Sequence, residues 1–220
     1  MSAAARLPLR GGDAEPLRIG VLALQGDYDA HVAALRRASA NGGEPVAVSL
    51  VRRPRDLEGI SGLVLPGGES TTMLKLLSTD GLDDAIVAFV RRGGAVLATC
   101  AGAILLSTEV ANPAQRSLGV VPARIERNSY GRQVDSFVGC AETRGGGLGT
   151  MPLPAVFIRA PRFLSLGEGV ETLATEGGDP VLVRHGRVLA ATFHPELSGD
   201  DRVAGLFLRL CREPSVAPAQ

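Results

Sequence analysis

The chain has 220 residues, 45% of them hydrophobic, with 23 acidic and 23 basic side chains and a formal net charge of zero. That size and apolar content suit one ordinary domain whose core needs no disulfide or structural metal, and they exclude global disorder. The balanced charge excludes a global basic field for nucleic acid, and no apolar run approaches the ~20 residues of a membrane helix.

Residues 1–16 hold Ala and Arg together with Asp13 and Glu15, lack an apolar core of signal-peptide length, and read as a disordered extension. From Leu17 apolar runs alternate with helical segments. RIGVLAL (18–24) predicts a buried strand. YDAHVAALRRASA (28–40) predicts a helix with Val32 and Leu35 on one face, ended by Gly42-Gly43. VAVSLV (46–51) and GLVLPGG (62–68) predict two further strands, the second running into a glycine pair. A helical region extends to Arg92 with a break near Asp80-Gly81, then AVLAT (95–99) predicts a strand and AGAILLSTEV (101–110) a helix. The second half differs: short strand-like segments near 118–126, 134–142, 155–159, 170–175, 180–184 and 187–193 alternate with turn residues, and several should pair antiparallel at one side of the sheet. TRGGGLGTMPLP (143–154) is the longest loop-like stretch, RVAGLFLRLC (202–211) predicts a closing helix, and 213–220 a frayed tail. The expected fold is a single three-layer α/β domain over 17–212, with a central, mostly parallel sheet flanked by helices.

The three cysteines, Cys100, Cys140 and Cys211, are widely spaced with no CxxC pair, so neither a zinc site nor a disulfide framework is indicated. A reducing cytoplasm is the default setting. Cys100 stands apart because it ends an apolar strand and directly precedes a helix. Ligands bind beyond the carboxyl ends of strands in such sheets, a helix start favours thiolate over thiol, and a tight turn lifts the side chain clear. This is a nucleophile elbow with sulfur, flanked at two positions either side by Ala98 and Gly102. Of three histidines, His31, His185 and His194, the last ends an apolar strand in FHPEL. Glu196, two residues on, points the same way along an extended chain and can hold the second imidazole N–H. An oxyanion hole would take the backbone N–H of Ala101 and another from LPGGES (65–70), where Gly67 and Gly68 free the backbone.

Together these residues resemble the class I, triad-type glutamine amidotransferases. LALQGD (22–27), LPGGESTTM (65–73), TCAG (99–102), ERNSYGRQVDSF (126–137), VFIRAP (156–161) and FHPEL (193–197) are most similar to the glutaminase subunit of pyridoxal 5'-phosphate synthase. That resemblance implies hydrolysis of L-glutamine to L-glutamate and ammonia, with Cys100 forming a glutamyl thioester, His194 as acid and base, and Glu196 as its orienter. It implies glutamine binding by Gly68, Glu69 and Ser70, by Arg127, and by Ile158 and Arg159, with Gly68 also lining the oxyanion hole. No cofactor, metal, nucleic acid or membrane is expected from the composition and motifs, and the resemblance implies a partner synthase subunit, a (β/α)8 barrel in a large hetero-oligomer, that receives ammonia through the interior. Docking would surround the active site, include the first strand–helix segment and raise a weak basal activity. Ala98 departs from the glycine common before the elbow, and the extension and residues 145–149 look additional.

Two alternatives stay open: a glutaminase serving another synthase, which RNSYGRQVDSF disfavours, and a catalytically silent or redox-sensing protein, which the His194–Glu196 pair disfavours.

Overall fold

The computed structural model describes residues 15–127, 129 and 136–214. Most of the predicted extension, the end of the tail, and residues 128 and 130–135 of the ERNSYGRQVDSF block lie outside the described residues.

Strand β1 (Leu17–Leu22) leads into helix α1 (Tyr28–Gly42), then β2 (Val46–Val51) and, after a 3-10 turn, β3 (Gly62–Leu65). Helices α2 (Ser70–Thr79) and α3 (Leu82–Arg91) follow, broken where expected at Asp80-Gly81, and β4 (Ala95–Thr99) returns to the sheet. β3 and β4 are buried along their whole length, which is why their sequences run apolar without alternation. The side chains still divide by period two: Val64 and Leu97 join one core, Leu63, Leu65, Val96 and Ala98 the other.

The predicted helix at 101–110 is too long. Helix α4 covers only Ala101–Leu106, and β5 (Ser107–Ala111) takes the rest. Ser107 turns extended and donates its hydroxyl to the Ala103 carbonyl at 2.9 Å, and the following Thr108-Glu109-Val110 run pairs with β6 (Val121–Glu126). Next come β7 (Phe137–Thr143), β8 (Leu153–Phe157), β9 (Arg162–Leu166), β10 (Val170–Glu176), β11 (Asp179–His185), β12 (Val188–Ala191) and helix α5 (Arg202–Arg212). β9 was not anticipated, because RFLSL alternates weakly and lies beside a proline.

The main sheet runs β2-β1-β3-β4-β12-β11-β10-β7-β8. Its first five strands are parallel, and from β12 outward every pair is antiparallel, as predicted for the C-terminal half. A second, three-stranded sheet, β5-β6-β9, was not foreseen. One core packs α1 and α5 on one face of the main sheet; the other packs α2, α3, α4 and the small sheet on the opposite face. The result is the three-layer α/β arrangement, with β1, β3, β4 and β12 ending at the same edge. Among the described residues no helix is long and apolar enough to cross a membrane.

Candidate active site

Cys100 sits at the junction of β4 and α4 with φ 48° and ψ −104°, a conformation that L-residues adopt only under constraint. Its backbone N–H donates to Ala191 on β12 at 2.8 Å, and its carbonyl accepts the first helical bond, from Ile104, at 3.2 Å. Gly102 has no room for a side chain, since a Cβ would overlap the Leu65 carbonyl. Ala98, fully buried opposite Leu65 and Ala190, shows that the methyl group there is accommodated. α4 has only six residues, so its aligned dipole is a smaller influence on Cys100 than that of the ten-residue helix predicted over 101–110.

His194 ends the segment after β12, in register with β4, and its backbone N–H donates to Val156 on β8 at 2.8 Å. The imidazole Nδ1 lies 2.7 Å from Glu196 Oε1. Burial alone would depress this imidazole, but hydrogen bonds and charge interactions with Cys100 and Glu196 outweigh it and raise the group to about 10. Burial likewise works against the charged form of Glu196, yet bonds from His194 and His31 pull that carboxyl down to about 2. These opposed shifts describe His194 and Glu196 held as a buried ion pair. Gly67 brings the β3 loop against this pair: a Cβ there would strike His194 Cε1 and press on Cys100 Cβ.

The remaining predicted residues converge on the same place. Gly68, Glu69, Ser70, Arg127, Ile158 and Arg159 line a recess of about 120 Å³ together with Cys100 and Ile104. A neighbouring recess of about 210 Å³ reaches Cys100 from Gly26, Asp27, Gly67 and Leu197, so the sulfur stands where the two meet. The Glu69 carboxylate accepts the Thr71 and Thr72 N–H groups at 3.1 and 2.6 Å, capping α2, and receives Arg127 Nη2 at 3.3 Å. Burial opposes its charge, but the hydroxyl and N–H groups of Thr72 and Thr71 hold it down to about 2. Ser70 donates to Gln115 at 3.0 Å. Ile158 turns its carbonyl to Cys100 Sγ at 4.0 Å, and Arg159 has φ 44°, a second constrained backbone in the site. Ala101 is fully buried at the helix start. Of the other histidines, His185 is spent on the Gly169 carbonyl, at 3.1 Å. Among the described residues no group of three or more His, Cys, Asp or Glu side chains is arranged to hold a metal.

Two contributors were not assigned from sequence. Gln25, just past β1, accepts the Glu69 N–H at 2.7 Å and so fixes the loop that carries Gly68. His31 is buried within 3.3 Å of Glu196 and 3.2 Å of Thr99. Its inward aim was readable from Ala34, Leu35 and Ala38, which share its helix face and are also buried.

The model of the SNO glutamine amidotransferase family matches residues 21–213. A relative from Koribacter versatilis named pyridoxal 5'-phosphate synthase subunit PdxT is 50% identical over 196 residues, covering 89% of this chain and 96% of the relative. One of the same name from Thermus thermophilus is 50% identical over 194 residues, 87% of this chain and 96% of the relative. A solved structure described as a glutamine amidotransferase superposes with a TM-score of 0.79 at 47% identity, covering 88% of this chain and 98% of that one. A Thermotoga maritima glutamine amidotransferase with a TM-score of 0.62 is only 13% identical and speaks to the fold alone.

Proposed function

The chain belongs to the SNO glutamine amidotransferase family, and from that premise we propose that it is the glutaminase subunit of a pyridoxal 5'-phosphate synthase, with Cys100, His194 and Glu196 as its triad. The observation that carries the triad is the 2.7 Å bond from His194 to Glu196 beside a cysteine held at a positive-φ elbow.

Glutamine enters the recess beside Arg127, whose guanidinium suits the α-carboxylate, with Gly68, Glu69, Ser70, Ile158 and Arg159 forming the walls. The Cys100 sulfur attacks the side-chain amide carbon. The carbonyl oxygen gains charge and is met by backbone N–H groups of Gly68 and Ala101. His194, protonated in the resting pair, gives its proton to the departing nitrogen, and ammonia leaves a glutamyl thioester. Thioester formation removes the sulfur's influence on His194, leaving burial opposed by Glu196 alone, and the ring, its proton already given up, acts as a base. It then takes a proton from water, hydroxide adds to the thioester, and glutamate is released as sulfur and imidazole regain their starting state. Glu196 orients the ring throughout.

The partner that takes the ammonia is a (β/α)8 barrel synthase in a large hetero-oligomer, in the cytoplasm. Leu197 and Ile158, 42% and 38% exposed, flank the recesses and favour a covering partner at this edge.

The test is glutamine-dependent ammonia release with and without a purified barrel synthase subunit. Strong stimulation by that subunit is the expected result. Full activity without stimulation would remove the assigned partner, and no release from folded protein in either condition would remove the glutaminase.

A further inference from the structure

We propose that His31 is a fourth, positioning member of the catalytic group: from helix α1 its Nε2–H fixes the Glu196 carboxylate, and through it the His194 ring. This rests on the glutaminase reading of Cys100, His194 and Glu196.

Glu196 lies in a short 3-10 turn, Pro195–Leu197, with no sheet or long helix of its own to hold it. Its Oε1 takes both imidazoles, His194 Nδ1 at 2.7 Å and His31 Nε2 at 3.3 Å. Its Oε2 is buried and makes no hydrogen bond among the described residues. The terminal torsion of a glutamate is broad, so one bond would leave the two oxygens free to exchange. A second, longer contact to the same oxygen from a different element, its hydrogen shared with Thr99 Oγ1, is also lost when the carboxylate rotates. An ionised carboxylate only accepts, so the hydrogen on this contact belongs to His31 Nε2.

The same nitrogen also reaches toward the nucleophile. Nε2 also lies 3.2 Å from Thr99 Oγ1, and Thr99 immediately precedes the nucleophile. His31 and Thr99 are 2% and 0% exposed, so neither contact competes with bulk water. A histidine that merely filled the core would be satisfied by any nearby carbonyl; this one joins the residue before the nucleophile to the orienter of the acid–base group. The other ionisable group lining the same small hollow is Asp200, which is engaged by Arg202 Nε at 3.0 Å.

The experiment uses the full chain and three variants. His31→Leu keeps bulk and removes the donor. His31→Gln places an amide N–H near the position of Nε2. His31→Asn carries an amide too short to reach Glu196. Cys100 alkylation by iodoacetamide is followed against pH, with the thermal midpoint measured in parallel. The Leu and Asn variants should move the alkylation midpoint upward by about one pH unit, a tenfold weaker pairing of sulfur and imidazole, while Gln stays within about 0.2 unit of wild type. A Leu or Asn variant with the wild-type profile, or a Gln variant shifted as far as Leu, overturns the proposal, since a packing role predicts that shifts follow thermal stability rather than the presence of a donor. Ammonia release is read on the same samples. Its absence in wild type would sink the glutaminase reading, while the alkylation profiles would still decide what His31 does to the pair.

Discussion

The two ends of the main sheet each hold a hollow and a buried cysteine. At the carboxyl edge Cys100 faces recesses of about 120 and 210 Å³; at the amino edge Cys211 lines a larger one of about 390 Å³ with Arg92, Arg187 and Gly62's neighbour Ser61. Both cysteines are 7% exposed. They differ in surroundings. Cys211 lies on the buried face of the last turn of α5, and burial pushes its thiol up to about 12 despite the charge of Arg187. Cys100 has a constrained backbone, an imidazole and, behind that, a carboxylate. Neither the larger hollow nor burial marks the nucleophile we propose; the His194–Glu196 pair lining the same recess as Cys100 does.

The sharpest way to break this comparison is to exchange the cysteines' fates. Cys100→Ala should lower ammonia release by at least roughly 10⁴-fold with the fold retained, whereas Cys211→Ala should leave release within about twofold and lose about 1–2 kcal/mol in urea unfolding. A Cys211 variant that is inactive yet folded would erase the distinction. Glu196→Gln comes next, with a loss of about 10²–10⁴-fold, because an amide no longer stabilises the imidazolium, and single-turnover ammonia release would show it. Gly67→Ala should cost about 10²-fold by displacing His194 while the thermal midpoint changes little; wild-type turnover would mean that the loop yields freely.

The smallest effect is on stability against pH. His194 is held at about 10 against an ordinary value of 6.5, so its contribution is complete below about 6.5 and is lost as pH rises through about 10. Glu196 is held at about 2 against 4.5, so its contribution is complete above about 4.5 and is lost as pH falls through about 2. The thermal midpoint should therefore decline on the alkaline side, and His194→Asn should flatten that limb in differential scanning calorimetry. An unchanged limb would show that the pair is not held as described.

The elements that position the site were legible in the sequence, because β1, β3, β4 and β12 are buried runs whose ends carry Gln25, Gly67, Cys100 and His194 in order. The small sheet was not, since AGAILLSTEV is apolar enough to extend a helix and only a distant partner, β6, draws Ser107–Ala111 into a strand. His194 and Glu196 read as a pair because they stand two residues apart, and Cys100 read as a nucleophile candidate from its strand–helix junction alone, although it lies far from them in the chain. His31 was missed for the opposite reason: its partners stand at 99 and 196, and nothing near it in the chain announces them.

The pairing of β12 with β4 also bears on how the protein is made. Synthesis delivers β4 and Cys100 long before β12 and His194, with the whole antiparallel half in between. Until β12 arrives, a nascent chain on the ribosome carries a thiol with no proton shuttle, and β4 is the unpaired margin of a half-built sheet. On the proposed triad, a chain interrupted before residue 194 is inert toward glutamine, and its open β4 edge is prone to pair with a stranger's strand, so ammonia production waits for the last strand to close that margin.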